Sequence, residues 1–598
     1  MSSYAAPIRD MQFVLKELAG LEQVVALPGY EEASSDLVDA ILEEAGKFAG
    51  EVLAPINHSG DQEGCQWREG VVTTPAGFKE AYQQFVETGW NGLACDPEFG
   101  GQGLPKLVST AVREMWKASN MAFSLCSMLT QGAIESLVLR GSQAQKETYL
   151  HKMVSGEWTG TMNLTEPNAG SDLAAVRTRA EPQGDGSFRI FGQKIFITHG
   201  EHDMAENIIH LVLARTPTAP AGVKGISLFV VPKFLVNEDG SLGARNDAWC
   251  ASIEHKMGIH ASPTAVMVFG DHGGAIGYLV GEENRGLETM FIMMNEARFA
   301  VGLEGMALSE RAYQQALAYA RDRIQGKDMR VKGGESVPII RHPDVRRMLL
   351  AMKSQTEAMR ALAYVVSSAM DHAHANPDAD ERAKNQAFAD LMIPVVKGWC
   401  TENANDVCSL GVQVHGGMGF IEETGAAQHY RDARITAIYE GTTGIQALDL
   451  IGRKIARENG VTVRRVIADM SALDGALAAV DGKAFAAIRT ALAEGVSALS
   501  ACVDYIVSDF GKDGATVAAG SVPFLKLMGI VSGGWQMARA ALAADARLKA
   551  GEGDADFYQA KIATCQFYAL HIMPQAAGLA RMMLDGGASV FALEDEQF

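Results

Sequence analysis

A glutamate in a short polar turn, next to glycine and a helix cap, is a residue set that can take a proton from carbon. The segment RDARITAIYEGTTGIQALDLIGRKI holds one: Glu440 follows Ile438 and Tyr439 and precedes Gly441, Thr442 and Thr443. Ile445, Leu448 and Ile451 recur at helical spacing, which predicts a helix capped by Thr442 or Thr443. A carboxylate in apolar company has a raised pKa or is paired, and either state suits a general base. Taken alone, the position more often holds a capping or salt-bridged glutamate.

Three further segments place polar or aromatic groups at turns and strand ends. In NLTEPNAGSD, Pro167, Asn168 and Gly170 force a turn after a strand ending at Thr165. Consecutive backbone N–H groups, with the hydroxyls of Thr165 and Ser171, can hold anionic or carbonyl oxygens there. In GQKIFITHG, alternation puts Phe196 and Thr198 on one face of a strand, where they could support a planar heteroaromatic ring. In QVHGGMGF, Gly416, Gly417 and Gly419 allow close backbone approach, and Gln413 offers both a donor and an acceptor. Each has a plainer meaning: a polar turn, a buried strand, a helix end.

Composition narrows the classes. Acidic residues outnumber basic ones, 72 to 52, and the formal charge of −20 repels nucleic acid and anionic lipid. The eight cysteines form no C-x-x-C pair and no H-E-x-x-H is present, so no metal site is expected. His199 with His202, and His372 with His374, are expected at the surface or in loops rather than on a metal. Scattered thiols fit a reducing compartment. The N-terminus MSSYAAPIRDMQFVLKEL carries neither a secretory nor a mitochondrial pattern, and no apolar run is long enough to span a bilayer. The expectation is a cytoplasmic protein.

The elements that must position these residues fall into four stretches, expected as domains at 1–160, 161–280, 281–456 and 457–598. The first is helical: Leu37, Ile41, Leu42, Ala45, Phe48 and Val52 share a face, with Ser34 or Ser35 as cap and Pro55 as stop. The turn DPEFGGQGLP has Lys106 where a dinucleotide fingerprint needs glycine. The second stretch reads as short strands forming an antiparallel sheet or small barrel. Helical periodicity returns in the third, with DHAHANPDADERAKNQ as a connection or its flanks. The fourth is Ala-rich and helical. Its segment PFLKLMGIVSGGWQMARAALAA suits core packing, or less readily a membrane-surface helix. The fold class is α+β multidomain: an N-terminal helical domain, a central β domain, a C-terminal helical bundle and an additional C-terminal helical domain.

Together, in this order and spacing, the four segments resemble the acyl-CoA dehydrogenase family. The resemblance spans roughly residues 35 to 456 and includes PEFGGQGL, EHKMGIHASPT, GEENRGLE and HGGMGF. The length and the appended segment are similar to the extended branch that holds 3-methylmercaptopropionyl-CoA dehydrogenases and some broad-range fatty acyl-CoA dehydrogenases. It implies an FAD enzyme of fatty acid β-oxidation that dehydrogenates an acyl-CoA thioester to the trans-2-enoyl-CoA. Glu440 would take the α proton, and an electron-transfer flavoprotein would take the electrons. A homodimer is implied. No residue decides between this and an acyl-CoA oxidase, and a flavin-bound DNA-associated relative exists that the −20 charge disfavours.

The resemblance also implies residue roles. Thr165 bonds the flavin and Ser171 lies near the FAD and CoA phosphates. Phe196, in place of the commoner Trp, and Thr198 flank the flavin, with Met162, Leu164 and Ile197 alongside. Arg323 binds the FAD diphosphate. Gln413, Gly416 and Gly417 reach the adenine half, often from a neighbouring subunit. Thr442 and Gly444 also touch FAD, although Gly444 and Gln428 depart from the family's common residues. Ser171, Asn295, Arg298 and Gly441 contact substrate. One branch carries its base immediately before an Arg in the first helix after the sheet. Here that position is Ala297, and Glu296 points about 100° away.

Overall fold

The structure, a computed structural model, describes residues 4–598. Two compact units arise, neither continuous in sequence: Lys47–Leu104 with Ser119–Ala300, and Met1–Gly46 with Pro105–Ala118 and Val301–Phe598.

The first unit is built on an eight-stranded sheet. Its strands are β1 (Trp158–Asn163), β2 (Arg179–Pro182), β3 (Phe188–Thr198), β4 (Asn207–Ala214), β5 (Ser227–Pro232), β6 (Ala248–Ile253), β7 (Thr264–Phe269) and β8 (Ala275–Val280). The order is β6-β7-β3-β8-β5-β4-β1, with β2 on β3. Pairing is antiparallel as expected, except that β1 and β4 run parallel, Trp158 opposite Asn207. The intervening β2–β3 excursion returns the chain to the end where β1 began. Ile190, Ile197, Val212, Phe229, Met267 and Phe269 form the core. Every residue of β4 is buried, as its run NIIHLVLA requires.

The second unit is helical. The helices that matter are α1 (Ser35–Phe48), α2 (Lys106–Ser119), α3 (Met121–Arg140), α4 (Gly286–Asp322), α5 (Pro343–Ala375), α6 (Ala379–His415), α7 (Ala426–Thr436), α8 (Thr443–Leu448), α9 (Lys483–Asp509), α10 (Ser521–Ala550) and α11 (Ala555–His571). Of these, α3 belongs to the sheet unit, and the boundaries between the units in sequence fall within α1, α2 and α4. Ser34 caps α1, its hydroxyl accepting from Leu37 N–H at 3.2 Å. Pro55 does not stop the chain's helical course: it opens the next helix, Pro55–Glu63, where its missing N–H is harmless. The polar stretch after His372 lies mostly within α5 and α6, and Asp378 caps α6.

The last segment packs into the bundle. Trp399 of α6 is buried against α10, where a Cβ on Gly529 would come within 2.2 Å of its Cγ. On α11, Tyr568 donates to Ile530 O at 3.0 Å. Lys561 of α11 reaches Glu357 at 2.6 Å and also pairs with Asp10. The buried Arg360 bridges Asp10, Glu114 and Glu310 at 2.6, 2.5 and 2.8 Å. The apolar run expected either in a core or on a membrane is α10, and it is largely buried. Among the described residues, two helices are long and apolar enough to cross a membrane: α3, 72% buried over its most apolar window, and α9, whose window is 33% buried.

Candidate active site

At one end of the sheet, β3 and the turn after β1 meet. Ile195 N–H donates to Thr165 O at 2.9 Å, so Thr165 lies beside the backbone next to Phe196. The turn is closed by Glu166 and Ala169, each N–H donating to the other's carbonyl at 3.0 Å. Beneath it Lys194, fully buried, reaches Glu166 at 2.8 Å and Leu164 O at 3.0 Å. Burial pushes the Lys194 ammonium down to about 8. Burial would raise Glu166, but the Lys194 charge and the hydrogen bonds from Thr178 and Arg177 hold it below the usual range. The fixed turn leaves Ser171 exposed and Thr165 half-buried.

The strand β3 does not alternate cleanly here. Its register against β7 shifts between Lys194 and Ile197, and Phe196 takes φ of +60°. Phe196 is thereby turned out, 60% exposed, while Ile197 belongs to the sheet core. Only the backbone of Ile197 is left for a ligand. Thr198 is half-buried, as is Met162, and Leu164 is buried.

His199 and His202, expected at the surface, are both 1% exposed, because β3 dives under α3 as it ends. With Cys126 they place candidate ligand atoms within 4.8 Å of one another. His202 already uses both ring nitrogens, on Thr159 Oγ1 at 3.0 Å and Met204 N–H at 3.2 Å. Burial holds His199 down to about 4 and His202 well below the usual histidine value.

On α4, Arg298 is buried, Asn295 is exposed one turn earlier, and Ala297 is buried. Beyond α4, the exposed Arg323 is braced by its backbone, N–H to Tyr319 O at 2.9 Å and carbonyl from Ile339 N–H at 2.8 Å. At the end of α6, Gln413, Gly416 and Gly417 are exposed. A Cβ on either glycine would meet nothing, so their backbone faces open space. Phe420, 87% exposed, and Met418 and Ile421 surround them.

Glu440 sits between α7 and α8, half-buried, with φ of +57°, followed by Gly441 at +86°. Thr442 is the residue that caps α8, accepting from Ile445 N–H at 3.3 Å. Gln446 donates to the carbonyls of Glu440 and Gly441 at 3.1 and 3.3 Å, and the buried Lys397 donates to Gly441 O at 2.7 Å. On the other side, the Tyr439 hydroxyl donates to Glu304, which pairs with Lys117 at 3.1 Å. The backbone of the turn is thus backed by buried charges, and Ile438 beside it is 45% exposed. No motif in the sequence points to Lys397, Glu304 or Lys117. The signal that marks the first two is a lone charge in an apolar helical run, as in IPVVKGWC and AVGLEGMAL.

Four family descriptions match in succession. They are the acyl-CoA dehydrogenase N-terminal domain at 35–157, middle domain at 161–272 and C-terminal domain at 284–456, then the acetyl-CoA dehydrogenase C-terminal-like domain at 463–594. The chain is 52% identical to 3-methylmercaptopropionyl-CoA dehydrogenase of Ruegeria pomeroyi, over 98% of this chain and 99% of that one. It is 37% identical to the broad-specificity linear acyl-CoA dehydrogenase FadE5 of Mycobacterium tuberculosis, over 96% of each. An acyl-CoA dehydrogenase of Bacillus anthracis complexed with FAD shares its fold, with a TM-score of 0.74, 21% identity and coverage of 96% and 92%.

Proposed function

The chain belongs to the acyl-CoA dehydrogenase family and performs FAD-dependent α,β-dehydrogenation of an acyl-CoA thioester, and we propose that Glu440 is its catalytic base. The observation that carries this is the turn itself: Glu440 is held at φ +57° while the carbonyls on its C-terminal side are bonded by Gln446 and Lys397. A carboxylate in a braced, half-buried turn is poised to remove a weakly acidic α proton, provided the thioester carbonyl is polarised at the same time. The Glu440 backbone N–H serves as that donor.

The residues at the sheet end fit a flavin. Phe196 is an exposed aromatic held out by a left-handed backbone, with Thr198 and Thr165 beside it and Ser171 exposed for a phosphate. Arg323 offers an exposed guanidinium for the diphosphate. Gln413, Gly416 and Gly417 offer open backbone for the adenine half, and the turn bearing Glu440 contributes Thr442 and Gly444. Met162, Leu164 and the backbone of Ile197 would line the flavin alongside them. FAD, when bound, supplies the hydride acceptor. Asn295, Arg298, Ser171 and Gly441 serve the substrate.

For the acyl group we favour a short chain of the 3-methylmercaptopropionyl type. The relative with that activity is 52% identical, against 37% for the linear-chain enzyme. An electron-transfer flavoprotein is the acceptor, and the working enzyme is a cytoplasmic homodimer whose exposed Phe420 and Met418 lie at the subunit contact. The test is a panel of acyl-CoA thioesters scored by anaerobic flavin bleaching with wild type and Glu440→Gln. Bleaching slower by at least roughly 10²-fold in the variant, which should stay yellow, is the expected result. Near-normal bleaching would move the base elsewhere, and rapid reoxidation by air alone would make the enzyme an oxidase.

A further inference from the structure

The turn bearing Glu440 is backed by a pair of charges almost wholly withdrawn from water: the Lys117 side chain is 2% exposed and that of Glu304 0%. They come from α2 and α4, and Glu304 lies among Leu303, Met306 and Ala307 in the apolar face of its helix. Such a pair contributes little to stability beyond what apolar residues of the same volume would contribute, because both ions must lose their water. A reason for it other than stability is found at its free end. The second carboxylate oxygen of Glu304 accepts the Tyr439 hydroxyl, and Tyr439 is the residue immediately before Glu440.

We propose that Glu304 is a positioning residue for the reaction: paired with Lys117, it anchors the Tyr439 hydroxyl and so fixes the direction in which Glu440 presents its carboxylate. The inference rests on the reading of Glu440 as base. Its physical content is conformational. A non-glycine residue in the left-handed region is strained, and a free turn would relax to a commoner conformation and rotate the side chain away. Glu440 at φ +57° is kept there from both sides. Lys397 and Gln446 hold the carbonyls after it, and Tyr439 holds the chain before it.

The charged groups that face this hydroxyl are Glu304 on α4, Glu440 on the turn and Asp432 on α7. Burial, and then the Glu304 charge, push the Tyr439 phenol well above its usual value, so it remains a donor throughout the working range.

Tyr439→Phe tests the claim, since it removes one hydroxyl and leaves the Lys117–Glu304 pair and the ring packing in place. In the FAD-loaded enzyme, with the acyl-CoA that wild type turns over best, kcat should fall roughly tenfold or more, the scale of one hydrogen bond to a charged group. KM and flavin content should stay at wild-type values, and the melting temperature should fall by no more than the loss of one buried hydrogen bond accounts for. The joint change Lys117→Met with Glu304→Leu removes both the pair and the acceptor of the Tyr439 hydroxyl without leaving a lone buried charge, and should reproduce the loss. Added to Tyr439→Phe, it should cost nothing further, because the groups act as one unit. Wild-type kcat in a folded Tyr439→Phe enzyme, or losses that multiply in the combined variant, would overturn the proposal. Glu440→Gln, run alongside, separates the two questions: if it alone leaves turnover intact, the base assignment is wrong, whatever Tyr439 does.

Discussion

Lys397 Nζ donates to the carbonyl of Gly441 at 2.7 Å, from a side chain that α6 keeps out of solvent. A buried ammonium must find oxygen partners, and a glycine at φ +86° is free to turn its carbonyl toward one. The lysine is thus a brace for the residue before that glycine, Glu440.

Replacing it shows what the brace is worth. Lys397→Met keeps the stem length and removes the donor, a loss of about 1.5–3 kcal/mol for a hydrogen bond from a charged group. The expected outcome is a yellow protein whose anaerobic bleaching by acyl-CoA is slowed roughly tenfold or more. A bleaching rate equal to wild type would show that the turn holds without it.

Phe196 offers a separation of stability from function. It sits at φ +60° with its ring 60% exposed, so the fold gains little from the side chain and bears the backbone strain. Phe196→Gly should leave the flavin-free protein as stable or more so, by about 1 kcal/mol, the usual cost of a non-glycine residue in that region. Flavin retention on gel filtration should nevertheless fall. A lower melting temperature with full flavin content would reverse the assignment.

Gly529 tests the seating of the appended helices. Alanine in a helix interior is ordinarily favoured over glycine by about 1 kcal/mol. Here its Cβ would meet Trp399 Cγ at 2.2 Å and the tryptophan has no room to withdraw. Gly529→Ala should therefore destabilise by about 1–3 kcal/mol despite better helix propensity, read as a drop in the denaturation midpoint. Unchanged or raised stability would mean that α6 and α10 have slack between them.

Asp371 gives a pH dependence with a definite sign. It accepts the N–H groups of Lys106 and Leu107 at 2.7 and 2.9 Å at the start of α2, and Tyr30 bonds it at 3.3 Å. Burial nonetheless raises it to about 6, against the pull of those N–H groups and of Lys106. A carboxyl whose folded value exceeds its unfolded one stabilises most below the unfolded pKa, and that contribution is lost as pH rises through about 6. The stability of wild type minus that of Asp371→Asn should shrink by about 2 kcal/mol between pH 4 and 7, since each tenfold change in proton affinity is worth about 1.4 kcal/mol and part of the unfolded-state titration lies below pH 4. A flat difference across that window would refute the assignment.

How much was legible beforehand follows the range of each interaction. The strands, the long helices, the Thr442 cap and the turn bearing Glu440 were all written in contiguous residues. The parallel pairing of β1 with β4 was not, because alternation specifies a strand but not its neighbour. Pro55 is ambiguous for a related reason: a proline that ends one helix and a proline that opens the next look alike until the turn between them is seen. His199 and His202 looked like loop residues because polar side chains in a short segment carry no record of what covers them.

By itself the sequence determined where helices, caps and the turn around Glu440 fall, since these depend on near neighbours, but not the left-handed backbone at Phe196 that breaks the alternation of β3. Tertiary structure alone decided what steadies that turn. Lys397 lies 44 residues from Gly441, Glu304 lies 135 from Tyr439, and Lys117 lies 187 from Glu304. Whether buried charges so far apart in the chain meet is settled by helix packing, which leaves no periodic trace in the residues it joins.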